Sequence, residues 1–94
     1  MHIQVEPKGW VIFTKESCAY CRKAKALVPE AVHTSCDEYL TTDRTVFLEK
    51  MDKLTGCEYR TFPMVFHDGV FVGGHAEMVK YIERLQVFEF GCDF

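Results

Sequence analysis

Two hydrophobic spacings alternate along this chain, and their order sets out a fold. Trp10-Val11-Ile12-Phe13 is a short, unbroken apolar run, as in a central strand buried on both faces. Ala24, Leu27, Val28, Ala31 and Val32 follow at i, i+3, i+4, i+7 and i+8, the stripe of a helix with one core face. That pattern spans Arg22 to Val32, with Pro29 inside it. The proline ring and its missing N–H disfavour straight continuation. A kink or early stop near Leu27 or Val28 is expected, with Pro29 to His33 as a further turn. Asp37-Glu38-Tyr39-Leu40 is a weak strand candidate. Thr41, Thr42 and Asp43 then offer N-cap chemistry. Phe47, Met51 and Leu54 repeat at helical spacing, Glu49 can pair with Lys53, and Gly56 ends the helix.

The clearest local signal lies further on. Met64-Val65-Phe66-His67 and Val70-Phe71-Val72 flank Asp68-Gly69, which reads as a tight hairpin. Gly73-Gly74 ends the hairpin, and Met78, Val79, Ile82 and Leu85 mark a last helix. Ahead of Pro7-Lys8-Gly9, Ile3 and Val5 alternate weakly, as a short edge segment would. The order is β-α-β-α-β-β-α. It describes an α/β fold: a small mixed four-stranded sheet with helices on both faces.

Composition narrows the function classes. The 94 residues suit one domain, 1–94, with a core of about 9–86 and a tail at 87–94. Phe88, Phe90 and Phe94 in that tail are expected to cover the core. The 48% apolar and 14% aromatic shares describe a compact globule. The net charge of −3 has acids and bases interspersed, so nucleic acid is not an expected partner. No run approaches a membrane span, and Met1 to Glu6 lacks signal-peptide features. A cytoplasmic monomer with no membrane partner is expected. In a reducing compartment the five cysteines would mostly be thiols.

Candidate chemistry concentrates at Thr14-Lys15-Glu16-Ser17-Cys18-Ala19-Tyr20-Cys21, where the first strand gives way to the first helix. The first helical turn has amides without intrahelical partners, and the macrodipole adds partial positive charge. A thiolate there is stabilised relative to a thiol, so Cys18 is expected to be nucleophilic at neutral pH. Lys15 adds a cation nearby. Residues three apart share a helix face, which lets Cys21 reach Cys18. Cys36, Cys57 and Cys92 lack this setting and are expected to be ordinary thiols; Cys57 lies nearest the next motif.

Three motifs in register, Cys18-Ala19-Tyr20-Cys21, Arg60-Thr61-Phe62-Pro63 and Gly73-Gly74, resemble the glutaredoxin family, of thioredoxin-like fold. The resemblance covers about Gly9 to Gln86, while the Trp-Cys-Gly-Pro-Cys signature of thioredoxins is absent. It implies a glutathione-dependent thiol–disulfide oxidoreductase with Cys18 and Cys21 catalytic. Its partners would be disulfide-containing or glutathionylated proteins, with ribonucleotide reductase a family-type target. Glutathione would be a co-substrate, and no cofactor would be tightly bound. By the same resemblance, Pro63 is a cis proline facing the cysteines and the Phe62 backbone pairs with glutathione. Thr61 belongs to that motif, and Tyr20 matches the usual aromatic residue. Gly74 lets the ligand approach, the amides of His75 and Ala76 hold the γ-glutamyl carboxylate, and Lys15, with Arg60, faces the glycine carboxylate.

The chain departs from the family pattern in three places. Ala19 replaces the usual proline, Ala76 stands where Asp or Ser is common, and the Cys57-Glu58-Tyr59 loop is longer. Two alternatives stand beside the redox reading. Cys18, Cys21, His33 and Cys36 give a C-x2-C-x11-H-x2-C spacing that could bind zinc, although a continuous helix would hold Cys21 and His33 roughly 18 Å apart. Two chains could instead share an iron–sulfur cluster through Cys18 and two glutathiones, as some relatives with a small residue in place of the proline do. His67, beside the hairpin turn, reads as a surface polar group, and His75 as either a linker or part of the site.

Overall fold

The computed structural model describes residues 3–89. Along them run β1 (Trp10–Thr14), α1 (Ala19–Leu27), β2 (Val32–Ser35), α2 (Asp37–Thr42), α3 (Arg44–Thr55), β3 (Met64–His67), β4 (Val70–Gly73) and α4 (His75–Glu89). The strands form one mixed sheet in the order β2-β1-β3-β4. β1 lies parallel to β2 and antiparallel to β3, and β3 lies antiparallel to β4. The α/β class and the four-stranded mixed sheet are as expected.

β1 sits inside the sheet, so its side chains alternate between two cores. Val11 and Phe13 pack with Cys36, Phe47, Met51, Met64 and Phe66 on the face of α2 and α3. Ile12 points the other way, to Ala24, Val28, Ala31, Val65 and Met78, under α1 and α4. Helices therefore cover both faces. Ile3 and Val5 pack against the first core without forming a strand. The hairpin turn has left-handed φ at both central residues, 50° at Asp68 and 80° at Gly69, the backbone that joins two strands through two residues. Asp68 also receives the Gly9 N–H on Oδ1 at 2.7 Å, which ties the turn to the start of β1.

Three expectations need correction. First, α1 stops at Leu27 as expected, but Val32 and His33 belong to β2 instead of a further turn. The residue before a proline is pushed out of the helical region; Val28 has φ −135° and ψ 80° and ends the helix. Leu27 and Val32 are accordingly exposed. β2 escaped notice because it is an edge strand with an exposed, polar sequence. Second, residues 37–40 open α2 and form no strand. Asp37 and Glu38 put negative charge in its first turn, where the macrodipole favours it. Thr41 and Thr42 do not cap α3. Their hydroxyls donate back to the carbonyls of Asp37 and Glu38 at 2.7 and 2.8 Å, a bond such side chains make inside helices. Asp43 occupies the N-cap of α3 without a side-chain capping bond. Third, His67 is no free surface group. Its Nδ1 lies 2.9 Å from the Tyr81 hydroxyl, and its ring centroid is 4.4 Å from that of Trp10. α4 continues to Glu89, past the core boundary expected near 86. Phe90, Cys92 and Phe94 lie outside the described residues, as does the side chain of Phe88.

Gly56 ends α3 as expected, with φ 81° and its N–H donating to the Asp52 carbonyl at 2.9 Å. Cys36 is fully buried, its backbone N–H donates to the Thr14 carbonyl at 2.8 Å, and its pKa is pushed up to about 12 by burial and by the Asp37 charge.

Phe66 is 1% exposed and meets the rings of Phe13 and Phe71 at 5.6 and 5.2 Å. Phe66→Ala should lower unfolding stability by about 3–5 kcal/mol, read from urea denaturation. Cys36 should also make stability fall in alkali. The unfolded thiol ionises near 9.0 while the folded one holds its proton to about 12. Between those values the native state binds more protons, so each pH unit should remove up to about 1.4 kcal/mol. The Cys36 contribution is complete below the lower value. Urea denaturation from pH 8 to 10.5 should show a steeper loss for the parent than for Cys36→Ala; equal slopes would refute it.

Candidate active site

The end of β1 and the start of α1 bring the two cysteines together. After Thr14 the chain turns out to solvent through Lys15, Glu16 and Ser17. Ser17 has a left-handed φ of 54°, uncommon for a residue with a Cβ, and it swings Cys18 into the N-cap of α1. There the Cys18 Sγ accepts the Cys21 N–H at 3.1 Å. Cys18 and Cys21 are joined as a disulfide, with their Cα atoms 5.2 Å apart. The first turn of α1 contains no acidic residue, so no side-chain carboxylate there opposes the helix dipole at the sulfur. Cys18 is 9% exposed and Cys21 2%. The outer sulfur is therefore the one a partner can reach, and the inner one lies behind it.

The loop before β3 faces this pair. The Cys18 Sγ lies 3.7 Å from the Phe62 carbonyl oxygen. The Phe62–Pro63 peptide is cis, and Pro63 is fully buried. Thr61 is exposed beside it. Lys15 extends over the Phe62 ring, its Nζ 5.7 Å from the centroid. On the other side the Tyr20 ring, largely exposed, lies 5.5 Å from the His75 ring and carries the Lys23 Nζ at 5.0 Å. The His75 ring thus stands beside Tyr20 at the start of α4. Gly74 is closely approached: a Cβ there would lie 2.5 Å from the Tyr59 hydroxyl oxygen, so an added side chain would displace that ring.

Other candidate residues are engaged elsewhere in the chain. The Arg60 guanidinium turns back onto α3, where its two terminal nitrogens donate to the two carboxylate oxygens of Asp52 at 2.6 and 3.1 Å. Those hydrogen bonds hold the Asp52 carboxyl below its usual range and push Arg60 up. The Gly74 N–H donates to Glu77 Oε1 at 2.8 Å. Ala76 is exposed and has no side chain that could reach a ligand. Cys57 is an exposed free thiol and Cys36 a buried one. His33 is on β2, not on a helix continuing from Cys21, so the helical separation expected between them does not apply. Among the described residues no group of three or more His, Cys, Asp or Glu is arranged to hold a metal.

Sequence reasoning missed the residue that steadies the site. Asp37, read as part of a strand, accepts the Glu16 N–H on Oδ1 and the Ser35 hydroxyl on Oδ2, both at 2.8 Å. It fastens the loop before Cys18 to the start of α2. An acidic pair directly after Ser35-Cys36 was the available signal, since acids favour a helix start. Glu77 was likewise legible as an acid in a first turn. The Asp52–Arg60 pair was not, because no helical or strand period joins positions eight apart across a turn.

A glutaredoxin family model matches residues 10–72, which include both cysteines and the Phe62–Pro63 loop. Glutaredoxin-2, mitochondrial, of Rattus norvegicus is 37% identical over 73 residues, covering 71% of this chain and 43% of the rat protein. Glutaredoxin-1 of Oryctolagus cuniculus is 27% identical over 86 residues, covering 86% of this chain and 79% of the rabbit protein. The chain thus spans less than half the length of the rat relative and about four fifths of the rabbit one. Among solved structures, glutaredoxin 1 from Francisella tularensis, complexed with cacodylate, superposes with a TM-score of 0.70 at 25% identity, over 83% of this chain and 95% of that one. A buckwheat glutaredoxin–glutathione complex shares the fold with a TM-score of 0.63 at 24% identity, over 85% and 73%. With the matched region running from β1 into β4 and holding the helix-capping cysteine pair, the chain belongs to the glutaredoxin family.

Proposed function

We propose that the protein is a glutathione-dependent thiol–disulfide oxidoreductase. One observation carries the reading: Cys18 and Cys21 form a disulfide at the start of α1, with the Cys18 sulfur outermost and receiving the Cys21 amide. A sulfur so placed is stabilised as a thiolate, both when it attacks and when it leaves.

In the reaction we infer, the reduced Cys18 thiolate attacks the glutathione sulfur of a protein–glutathione mixed disulfide. That S–S bond breaks, the protein sulfur leaves as a thiolate and takes a proton, and glutathione stays on Cys18. A second glutathione thiolate then attacks the glutathione sulfur. This forms glutathione disulfide and restores the Cys18 thiolate. With a protein disulfide, Cys18 forms a mixed disulfide with the substrate. Cys21, deprotonated, attacks the Cys18 sulfur, and the substrate leaves as a dithiol. The protein is then oxidised to the Cys18–Cys21 form, which two glutathiones reduce.

Several neighbours would hold glutathione. The Phe62 main chain, beside the Cys18 sulfur, would run along the tripeptide backbone, flanked by Thr61 and Pro63. Lys15 would meet the glycine carboxylate. The His75 and Ala76 amides, past Gly74 at the start of α4, would meet the γ-glutamyl carboxylate, with Tyr20 and His75 as a side wall. Arg60 would join only on leaving Asp52. The buckwheat relative was solved as a glutathione complex, which supports this choice of co-substrate. Glutathionylated and disulfide-bonded proteins would be the substrates, in a compartment that supplies reduced glutathione. We propose the cytoplasm; the rat relative is mitochondrial. No helix among the described residues is long and apolar enough to cross a membrane.

Reduction of a glutathionylated peptide, coupled to consumption of reduced glutathione, tests this. Cys18→Ser should drop to background. Cys21→Ser should keep most of its turnover of the glutathionylated peptide and lose reduction of protein disulfides. Cys57→Ser should behave like the parent in both assays. Substantial activity in Cys18→Ser would overturn the assignment.

A further inference from the structure

The helix that carries the reactive sulfur is the most one-sided in charge. α1 holds Arg22, Lys23 and Lys25 and no acid, in a chain whose net charge is −3. Arg22 and Lys23 are exposed directly after Cys21. Lys23 lies over the ring of Tyr20, its Nζ 5.0 Å from the centroid, and that ring is itself 56% exposed. The ring face holds the ammonium without neutralising it. None of the three cations is in an ion pair among the described residues. The nearest acids along the chain, Glu16 and Glu30, lie before and after the helix. Lys25 bears on His33 of the neighbouring edge strand β2: partial burial and then the Lys25 charge lower the His33 pKa. Positive charge thus extends from Tyr20, two residues beyond Cys18, along the outer face of α1 to the edge of the sheet.

We propose that this face of α1 is a docking surface for substrate proteins, and that it selects disulfides with Asp or Glu beside the reacting cysteine. The inference rests on the oxidoreductase reading given above. With glutathione along the Phe62 main chain, the protein half of a mixed disulfide has the start of α1 open to it, where Tyr20, Arg22 and Lys23 stand exposed. Charge gives the sign. A carboxylate arriving there meets unpaired cations and breaks no ion pair of the chain, whereas a Lys or Arg meets like charge. A charge pair at a solvated surface changes affinity by roughly one and a half to fivefold, and attraction during approach raises the association rate as well. Three cations suit a short acidic stretch of protein. The roughly six to ten phosphate contacts of a strong nucleic-acid binder have no counterpart on this face.

The test uses the full chain and three peptides, identical except that one glutathionylated cysteine is flanked by two Glu, two Gln or two Lys. The readout is the ratio of kcat/KM for the Glu peptide to that for the Gln peptide. The glutathione group is common to all, so its binding cancels. The flanking residues also alter the leaving thiol, equally for every protein, so the comparison between proteins carries the result. The ratio should be roughly two- to twentyfold higher for the parent than for the Arg22→Gln/Lys23→Gln double variant at low ionic strength, with each single variant between them. The Lys peptide should move in the opposite direction. Any effect of the lost charge on the Cys18 sulfur moves all three peptides together and leaves the ratio alone. Lys80→Gln, which removes an exposed cation of α4, should keep the parent ratio. In about 1 M salt, where the screening length falls to roughly 3 Å, the parent ratio should approach that of the double variant. This arm needs no substitution, and glutamine is well tolerated in helices. If the double variant keeps the parent ratio, or Lys80→Gln lowers it as much, the inference is overturned while the oxidoreductase reading stands. If the parent turns over none of the peptides, that reading fails and takes the inference with it.

Discussion

The site depends on β1 being buried on both faces. Val11, Ile12 and Phe13 are at most 1% exposed, and burying each such side chain contributes about 1.5–3 kcal/mol. Ladders to β2 and β3 hold the strand on either side. Its C-terminal end is fixed in turn: the Cys36 N–H donates to the Thr14 carbonyl, and Asp37 takes the Glu16 N–H. The loop that delivers Cys18 to the start of α1 therefore hangs from the most constrained strand of the sheet. A sulfur that must meet both a helix end and the Phe62 loop needs such an anchor, since both contacts fail with a shift of about an ångström.

The same physical feature serves two purposes in this molecule. Helix starts attract negative charge, and α2 and α4 place their own acids in the first turn: Asp37 and Glu38 in one, Glu77 in the other. α1 has none. Its field remains for the Cys18 sulfur, whose contact with the Cys21 amide replaces an ordinary cap. At the start of α4 a carboxylate takes the free Gly74 amide; at the start of α1 the Cys18 sulfur takes that of Cys21. Cys36 shows the contrast from the other side. It too sits at a helix N-cap, that of α2, yet it makes no side-chain capping bond, is buried, and is followed at once by Asp37. Burial and the neighbouring charge hold it as a thiol. Position at a helix start is thus insufficient to make a reactive cysteine; access and the sign of the adjacent charge decide.

Much of this was legible in the sequence because it is local. The apolar run of β1, the Asp68-Gly69 hairpin, the Gly56 cap and the spacing of Cys18 and Cys21 each follow from residues within a few positions of one another. The edge strand β2 was not legible, because its neighbour β1 supplies the pairing while its own residues stay polar and exposed. α2 was misread for a related reason. Asp37 to Thr42 is too short to show a helical stripe, and its acids matter through the dipole of a helix that must already exist. His67 looked like a surface group until α4 brought Tyr81 to its ring and β1 brought Trp10.

The candidate site divides along the same line. Motifs locate positions: Cys18 and Cys21 pair, Phe62 lies beside the Cys18 sulfur, and Tyr20 stands against His75. Motifs do not report whether a charge at a given position is available. Arg60 stands in its motif, but Asp52, eight residues upstream and across the turn at Gly56, holds its guanidinium. Gly74 stands in its motif, but its amide is taken by Glu77. Both carboxylates lie outside the residues that mark the family resemblance, and both act on residues inside it.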